Sequence, residues 1–100
     1  MIETMMGLNV VNTELYAEYR ANMLPLLEAA GGSFGVDLWV SEVLRAPTAQ
    51  PFNRLFTIRF PSQQAREAFF ASPAYKAVRQ RFFEPSVSAT STLGRFTVLD

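Results

Sequence analysis

The side chains that could bind or activate a small molecule are few, and the leading candidates are Asp37, Trp39, Arg59 and Tyr75. A carboxylate can act as a base, an arginine or a tyrosine hydroxyl can polarise a carbonyl group, and an indole can stack against a cation. The chain contains no cysteine and no histidine. The usual general base and the usual zinc ligands are therefore missing. We expect no metal and no cofactor, and the sequence identifies no catalytic residue.

Two serines resemble nucleophiles but are better explained as helix caps. Ser62 follows a proline at the end of a predicted strand, and Ser72 is followed by Pro73. Serine is a preferred N-cap, and proline is favoured at the first helical position, where its missing N–H is not needed. Without histidine, neither serine has the usual activating base.

Composition limits the range of partners. The chain has 100 residues, of which 49% are hydrophobic, and we expect a single domain over residues 1–100. The charges of nine basic and nine acidic residues cancel, so the chain has no excess of positive charge that would favour binding to a nucleic acid or an anionic membrane. No apolar run is long enough to span a bilayer, and no basic segment precedes the apolar residues at the N-terminus. We expect a soluble, cytoplasmic protein.

The first half of the chain predicts a strand followed by a helix. The β-branched run ending at Val11 predicts a strand over about residues 3–11. Asn12 or Thr13 can cap a helix that carries apolar residues at spacings of three and four up to Ala30. Pro25 lies inside that helix and is expected to bend it, and the following two glycines supply a left-handed stop.

The residues from 33 to 44 alternate strictly and predict a second strand. Its two predicted faces are Phe34, Val36, Leu38 and Val40 on one side, and Gly35, Asp37, Trp39 and Ser41 on the other. A third strand over residues 54–60 places Arg59 on the face opposite Phe60. If residues 46–53 close a regular hairpin, Trp39 lies nearly opposite Arg59 and Asp37 lies one diagonal step away.

The remaining segment predicts a broken helix and a last strand. Apolar residues at helical spacing begin after Ser62, and the pattern restarts at Ser72. A polar-to-apolar segment from Ser88 to Leu99 predicts strand four. The order β-α-β-β-α-β is that of the ferredoxin-like α+β fold, an antiparallel four-stranded sheet with both helices on one face.

Several motifs resemble the bacterial family called domain of unknown function 1330, of the dimeric α/β barrel superfamily. They are Tyr16 and Tyr19 with Pro25, the pair Gly31 and Gly32, the triplet Phe60, Pro61 and Ser62, and the quartet Ser72, Pro73, Ala74 and Tyr75. The resemblance covers Leu15 to Val98. It implies a ferredoxin-like protomer whose open sheet face packs against a second copy, and it implies no activity. The chain departs from the family pattern at Arg59, where a glutamate is usual.

Three functions follow as hypotheses. The leading one is a small homodimeric domain that binds a small organic molecule between the sheet and the helices or inside the barrel. The second is a cofactor-independent monooxygenase or isomerase, with Asp37, Tyr75 or an arginine polarising the substrate. The third is a structural domain whose partner is a second copy of itself. In the first, Arg59 anchors an anionic or carbonyl ligand beside Trp39; otherwise the same cluster only fixes the strand register.

Overall fold

The computed structural model describes residues 1–99 and has helices on one face of a four-stranded antiparallel sheet. Its elements are β1 (Ile2–Val10), α1 (Thr13–Ala29), β2 (Ser33–Trp39), β3 (Arg54–Phe60), α2 (Gln63–Ala71), α3 (Pro73–Val78), a π-helical turn (Arg79–Phe83) and β4 (Val87–Thr97). The strands lie in the order β2-β3-β1-β4. The ferredoxin-like α+β prediction is confirmed, with the second helix divided into α2, α3 and the π-helical turn.

Local capping explains where α1 begins and ends. The Asn12 side chain accepts a hydrogen bond from the Leu15 backbone N–H at 3.1 Å. At the other end Gly31 has φ of +77° and its N–H donates to the Glu28 carbonyl, while Gly32 donates to the Leu27 carbonyl. These two bonds form a Schellman motif, as the glycine pair predicts. The helix continues past Pro25.

The two serine caps are also confirmed. Ser62 Oγ accepts from the Ala65 N–H at 3.1 Å, and Ser72 Oγ accepts from the Tyr75 N–H at 3.2 Å. Ser72 Oγ also donates to the Phe69 carbonyl at the end of α2. One hydroxyl therefore ends α2 and starts α3, which lets the chain change direction over the sheet.

The predicted alternation of the second strand is wrong beyond Gly35. Phe34 pairs with Ile58, but Asp37 pairs with Phe56, so three residues of β2 span two residues of β3. This β-bulge reverses the faces of the residues that follow it. Asp37 therefore lies on the same, helix-covered face as Phe34, and not on the opposite face that strict alternation predicts. The strand also ends at Trp39 instead of continuing to residue 44.

The bulge removes the predicted pairing of Trp39 with Arg59. Trp39 pairs with Arg54, while Arg59 pairs with Ser33 and lies on the open face. There Arg59 Nε is 3.1 Å from Glu3 Oε1 on β1. The predicted cluster of Trp39, Arg59 and Asp37 on one sheet face does not form.

The core lies between the helices and the sheet. Its buried side chains are Leu8, Val10, Tyr16, Tyr19, Met23, Leu27, Ile58, Phe60, Phe69, Tyr75 and Phe82. The described chain is flat, with extents of 33 × 33 × 17 Å, as expected for one helical layer on one sheet.

The open face of the sheet is partly covered by the loop between β2 and β3. Phe52 lies over Gly7, where an added Cβ would come within 2.9 Å of the phenyl ring, and Thr48 bonds Ser91 of β4 at 3.1 Å. Leu38 lies on this face opposite Leu55 and is half exposed. Trp39, which the alternation placed on the face opposite Phe34, is absent from the open face.

Candidate functional site

A cleft of about 350 Å³ lies between the sheet and the helices. The sheet forms its floor with Thr4, Met6, Leu8, Phe34, Phe56, Ile58 and Thr90. The helices form its wall with Tyr19, Arg20, Met23, Arg66, Phe70, Tyr75, Lys76, Arg79 and Phe83. The volume is within the range of about 300–1,000 Å³ that is usual for small-molecule sites. The floor is mainly apolar, and the charged groups belong to the helices.

The hydroxyls of two tyrosines are hydrogen-bonded to each other in the wall of the cleft. Tyr19 of α1 and Tyr75 of α3 are 2.8 Å apart between their hydroxyl oxygens, and both side chains are buried. The Ser72 cap sets the start of α3 and therefore the position of Tyr75. The Tyr19 ring also packs on Phe83 at 5.0 Å between centroids. The pair ties α1 to α3 beside the cleft.

Both of these phenols stay protonated at neutral pH. Burial raises the pKa of Tyr19 above its usual value, and its neighbour Tyr75 adds to the rise. Burial also raises the pKa of Tyr75, although its hydrogen bond with Tyr19 and the charge of Arg79 oppose the rise. The hydroxyls can therefore donate and accept hydrogen bonds, but they are poor bases.

The π-helical turn brings two further side chains to the cleft. The Glu84 N–H donates to the Arg79 carbonyl at 3.0 Å, five residues earlier. Arg79 and Phe83 line the cleft, and the guanidinium carbon lies 5.3 Å from the centre of the phenyl ring. Phe82 points into the core instead. Single π-turns within helices are frequent at functional sites.

Asp37 links two arginines at one end of the helix-covered face. Arg20 donates to both carboxylate oxygens at 3.0 and 3.1 Å, and Arg54 donates to both at 2.9 and 2.8 Å. Burial raises the pKa of Asp37, but the hydrogen bonds from Arg54 and Arg20 outweigh it and lower the pKa below the usual value. Asp37 is therefore a charged structural partner at neutral pH.

Aromatic rings surround this arginine pair. The Arg20 guanidinium carbon lies 4.0 Å from the centre of the Phe34 ring, and that of Arg54 lies 4.3 Å from the centre of the Trp39 ring. Arg20 Nε also donates to the Tyr16 hydroxyl at 2.8 Å. The planar cations are fixed by stacking as well as by Asp37.

The four residues predicted as ligand-binding candidates do not form one site. Tyr75 lines the cleft, and Asp37 holds Arg20, which also lines it. Trp39 is 55% exposed and stacks on Arg54, outside the cleft lining. Arg59 lies on the other face with Glu3. Whether any of them binds a ligand stays a prediction.

The sequence reasoning missed the cationic wall of the cleft. Three arginines each stack on an aromatic ring four residues away on the same helix: Arg20 on Tyr16, Arg66 on Phe70 and Arg79 on Phe83. Residues at this spacing are neighbours on a helix. The repeated spacing of four residues between an arginine and an aromatic residue is the sequence feature that could have indicated this cationic wall.

Metal-binding groups and membrane-spanning helices were also sought among the described residues. Residues 1–99 contain no group of three or more metal-binding side chains. None of the helices in that range is long and apolar enough to cross a bilayer. A cytoplasmic location stays a prediction.

The fold places the protein among ferredoxin-like α+β proteins, and comparison of sequences gives the family. The profile described as Domain of unknown function (DUF1330) matches residues 4–87. The chain belongs to that family, which confirms the resemblance seen in the sequence. No curated protein matches it.

Solved structures agree on the fold. A protein of unknown function from Rhodopseudomonas palustris has a TM-score of 0.78 at 18% identity, over 99% of this chain and 82% of that one. A dimeric ferredoxin-like protein of unknown function from Thermobifida fusca has a TM-score of 0.60 at 13% identity, over 97% and 90% of the two chains. A MhuD variant with two manganese protoporphyrin IX molecules bound per active site has a TM-score of 0.59 at 20% identity, over 100% and 97%. At these identities the likeness extends to the fold alone.

Proposed function

We propose that this protein binds a small organic molecule in the cleft between the sheet and the helices. The observation that carries this proposal is the cleft itself, about 350 Å³ in volume, with an apolar floor and converging polar groups on its wall. A concave, mostly apolar pocket with a few directed polar groups is the usual form of a ligand site. A structural neighbour that binds a porphyrin in its active site is consistent with a ligand, although the likeness to it is one of fold.

The polar side chains that line the cleft favour ligand binding over catalysis by proton abstraction. Burial raises the pKa values of Tyr19 and Tyr75, so neither hydroxyl is a ready base. The residues that line the cleft include no carboxylate among those described. Their role is therefore to donate hydrogen bonds and to contribute positive charge to a bound molecule.

We also propose that the working unit is a homodimer formed through the open sheet face. The protomer is only 17 Å thick, and apolar side chains such as Leu38 and Phe96 are about half exposed. Large exposed apolar areas are unusual on a monomer. The dimeric ferredoxin-like neighbour from Thermobifida fusca is consistent with this assembly.

A cleft-filling variant tests the binding proposal. Thr90 is exposed and lines the cleft from β4, so Thr90→Trp should fill the space without disturbing the core. Ala77→Trp places the same side chain on an exposed position of α3 outside the lining. A compound library is screened by thermal shift and hits are verified by native mass spectrometry. At a hundredfold excess over Kd, a ligand should stabilise the folded protein by about 2.7 kcal/mol.

We expect hits that stabilise the wild type and Ala77→Trp but not Thr90→Trp. A library that stabilises nothing, or hits that stabilise Thr90→Trp equally, would contradict binding in this cleft.

A further inference from the structure

The charge on the cleft wall narrows the class of ligand. Four cations line the cleft, Arg20, Arg66, Lys76 and Arg79, and no acidic residue lies among the described lining residues. Arg20 is paired at 3.0 Å with Asp37, a carboxylate that it shares with Arg54. In residues 1–99 the other three form no ion pair with a carboxylate. A chain with no formal net charge therefore has an excess of positive charge at this cleft.

One of these cations, Arg66, has a hydrogen-bond donor without an acceptor. Its Nε is buried and has no hydrogen-bond partner in the described chain, while its guanidinium lies 5.1 Å from the centre of the Phe70 ring. Stacking fixes the plane of the guanidinium but leaves the N–H without an acceptor. Buried donors in proteins nearly always have a partner, and an unpaired one is costly. Because Arg66 lines the cleft, a ligand oxygen there would supply an acceptor for its guanidinium.

The same wall offers further donors to an anion. Arg79 stacks on Phe83 and lines the cleft from the helical side together with Tyr75. The floor opposite them consists mainly of apolar side chains such as Met6 and Ile58. One side of the cleft therefore suits an anion and the other suits a hydrocarbon body.

We propose that the ligand is an organic anion, a carboxylate on a flat apolar or aromatic body, held by Arg66, Lys76 and Arg79. The inference rests on the proposed function, because it names the ligand class of the same cleft. A planar guanidinium is well matched to a carboxylate, with which it can form two parallel hydrogen bonds. The aromatic body would lie over the methionine and isoleucine side chains of the floor.

Two probes of the same shape test the charge. Binding of 2-naphthoate and 2-naphthamide to the full chain is measured by isothermal titration calorimetry. The two differ in the charge of one group, so the naphthalene contribution cancels in the comparison. We expect naphthoate to bind at least about tenfold more tightly, which corresponds to about 1.4 kcal/mol, and its advantage to shrink as salt is added.

Single substitutions assign the effect to named residues. Arg66→Gln and Arg79→Gln should each weaken naphthoate binding about tenfold and leave naphthamide binding almost unchanged. Arg66→Lys should retain part of the preference because it keeps the charge. Arg81→Gln is the matched control: Arg81 lies in the same π-helical turn but not in the cleft lining. Circular dichroism verifies that each variant is folded.

The outcomes separate this inference from the proposed function. Equal binding of both probes, or tighter binding of the amide, would overturn the anionic ligand while leaving the cleft as a binding site. If neither probe binds, the aromatic anion is overturned, and the library screen with Thr90→Trp decides separately whether the cleft binds any small molecule. A preference for naphthoate that Arg81→Gln abolishes as strongly as Arg66→Gln would place the anion site elsewhere.

Discussion

The hydroxyl oxygens of Tyr19 and Tyr75 lie 2.8 Å apart, and their hydrogen bond connects the long helix α1 to the short helix α3 beside the cleft. Both side chains are buried, so a hydroxyl that loses its partner has little access to water. The pair therefore contributes to stability and also determines the hydrogen-bonding character of the cleft wall.

A double-mutant cycle measures this bond. Tyr19→Phe or Tyr75→Phe alone should lower the free energy of unfolding by about 1–3 kcal/mol, because each leaves one buried hydroxyl unpaired. The double variant should lose less than the sum of the two. Urea unfolding of the four proteins gives the coupling energy. Additive losses would show that the two hydroxyls do not depend on each other.

The pH dependence of stability should contain the contribution of Asp37. Its pKa is lower in the folded protein than in the unfolded chain, so its stabilising effect is present above about pH 4 and is lost as pH falls through the folded pKa. Asp37→Asn should reduce the free energy of unfolding at pH 7 by about 1–2 kcal/mol, a value reduced for the 34% exposure of the carboxylate.

Urea unfolding of both proteins between pH 2 and pH 7 examines this expectation. The difference between wild type and Asp37→Asn should shrink as pH falls below about 4, since the carboxylate takes up a proton first in the unfolded chain and, at lower pH, in the folded protein. A difference that stays constant down to pH 2 would assign the loss to packing rather than to charge.

The single tryptophan reports on the arginine that stacks against it. Arg54 lies 4.3 Å above the Trp39 ring, so Arg54→Met should change the intensity or the emission maximum of the tryptophan fluorescence. Arg59→Met is the matched control, because Arg59 lies on the other sheet face. A fluorescence change in Arg59→Met of the same size as in Arg54→Met would contradict the observed register.

The sequence predicted the features that depend on neighbouring residues. The caps at Ser62 and Ser72, the glycine stop after α1 and the alternation of β3 follow from local hydrogen bonding and from the period of a strand. These features agree with the structure within one or two residues. The order of elements then led directly to the ferredoxin-like fold.

The faces of β2 could not be predicted in the same way. The bulge after Phe34 is accompanied by a hydrogen bond between the Val36 N–H and Thr57 Oγ1 at 2.8 Å, a contact with another strand. Nothing within the second strand signals one extra residue except Gly35, and glycine alone does not specify a bulge. The cationic cleft was missed for a similar reason, since it depends on how three helices sit over the sheet.

The cap at Ser72 should matter for stability. Ser72→Ala removes the acceptor for the Tyr75 N–H and the donor to the Phe69 carbonyl, and should cost about 0.5–2 kcal/mol. Ser72→Thr retains a capping hydroxyl and should lose less. Thermal unfolding measures both. A stable Ser72→Ala variant that binds no ligand would instead make this hydroxyl part of the site.

The homodimer proposed above predicts that Leu38 and Leu24 respond differently to a charge. Leu38 lies on the open sheet face and is 50% exposed, while Leu24 lies on α1 and is 40% exposed. Burying a glutamate in a dimer interface without a partner is costly, whereas the same residue in water is not. Leu38→Glu should therefore weaken self-association at least about tenfold, and Leu24→Glu should leave it unchanged.

Sedimentation velocity over a range of micromolar concentrations compares the wild type with the two variants. Phe96→Glu provides a second test on the open face, since Phe96 is 45% exposed and lies on the opposite edge strand from Leu38. If both open-face variants dissociate while Leu24→Glu remains a dimer, the interface lies on the sheet. A wild-type protein that sediments as a monomer would contradict the homodimer, and dissociation in Leu24→Glu alone would move the interface to the helices.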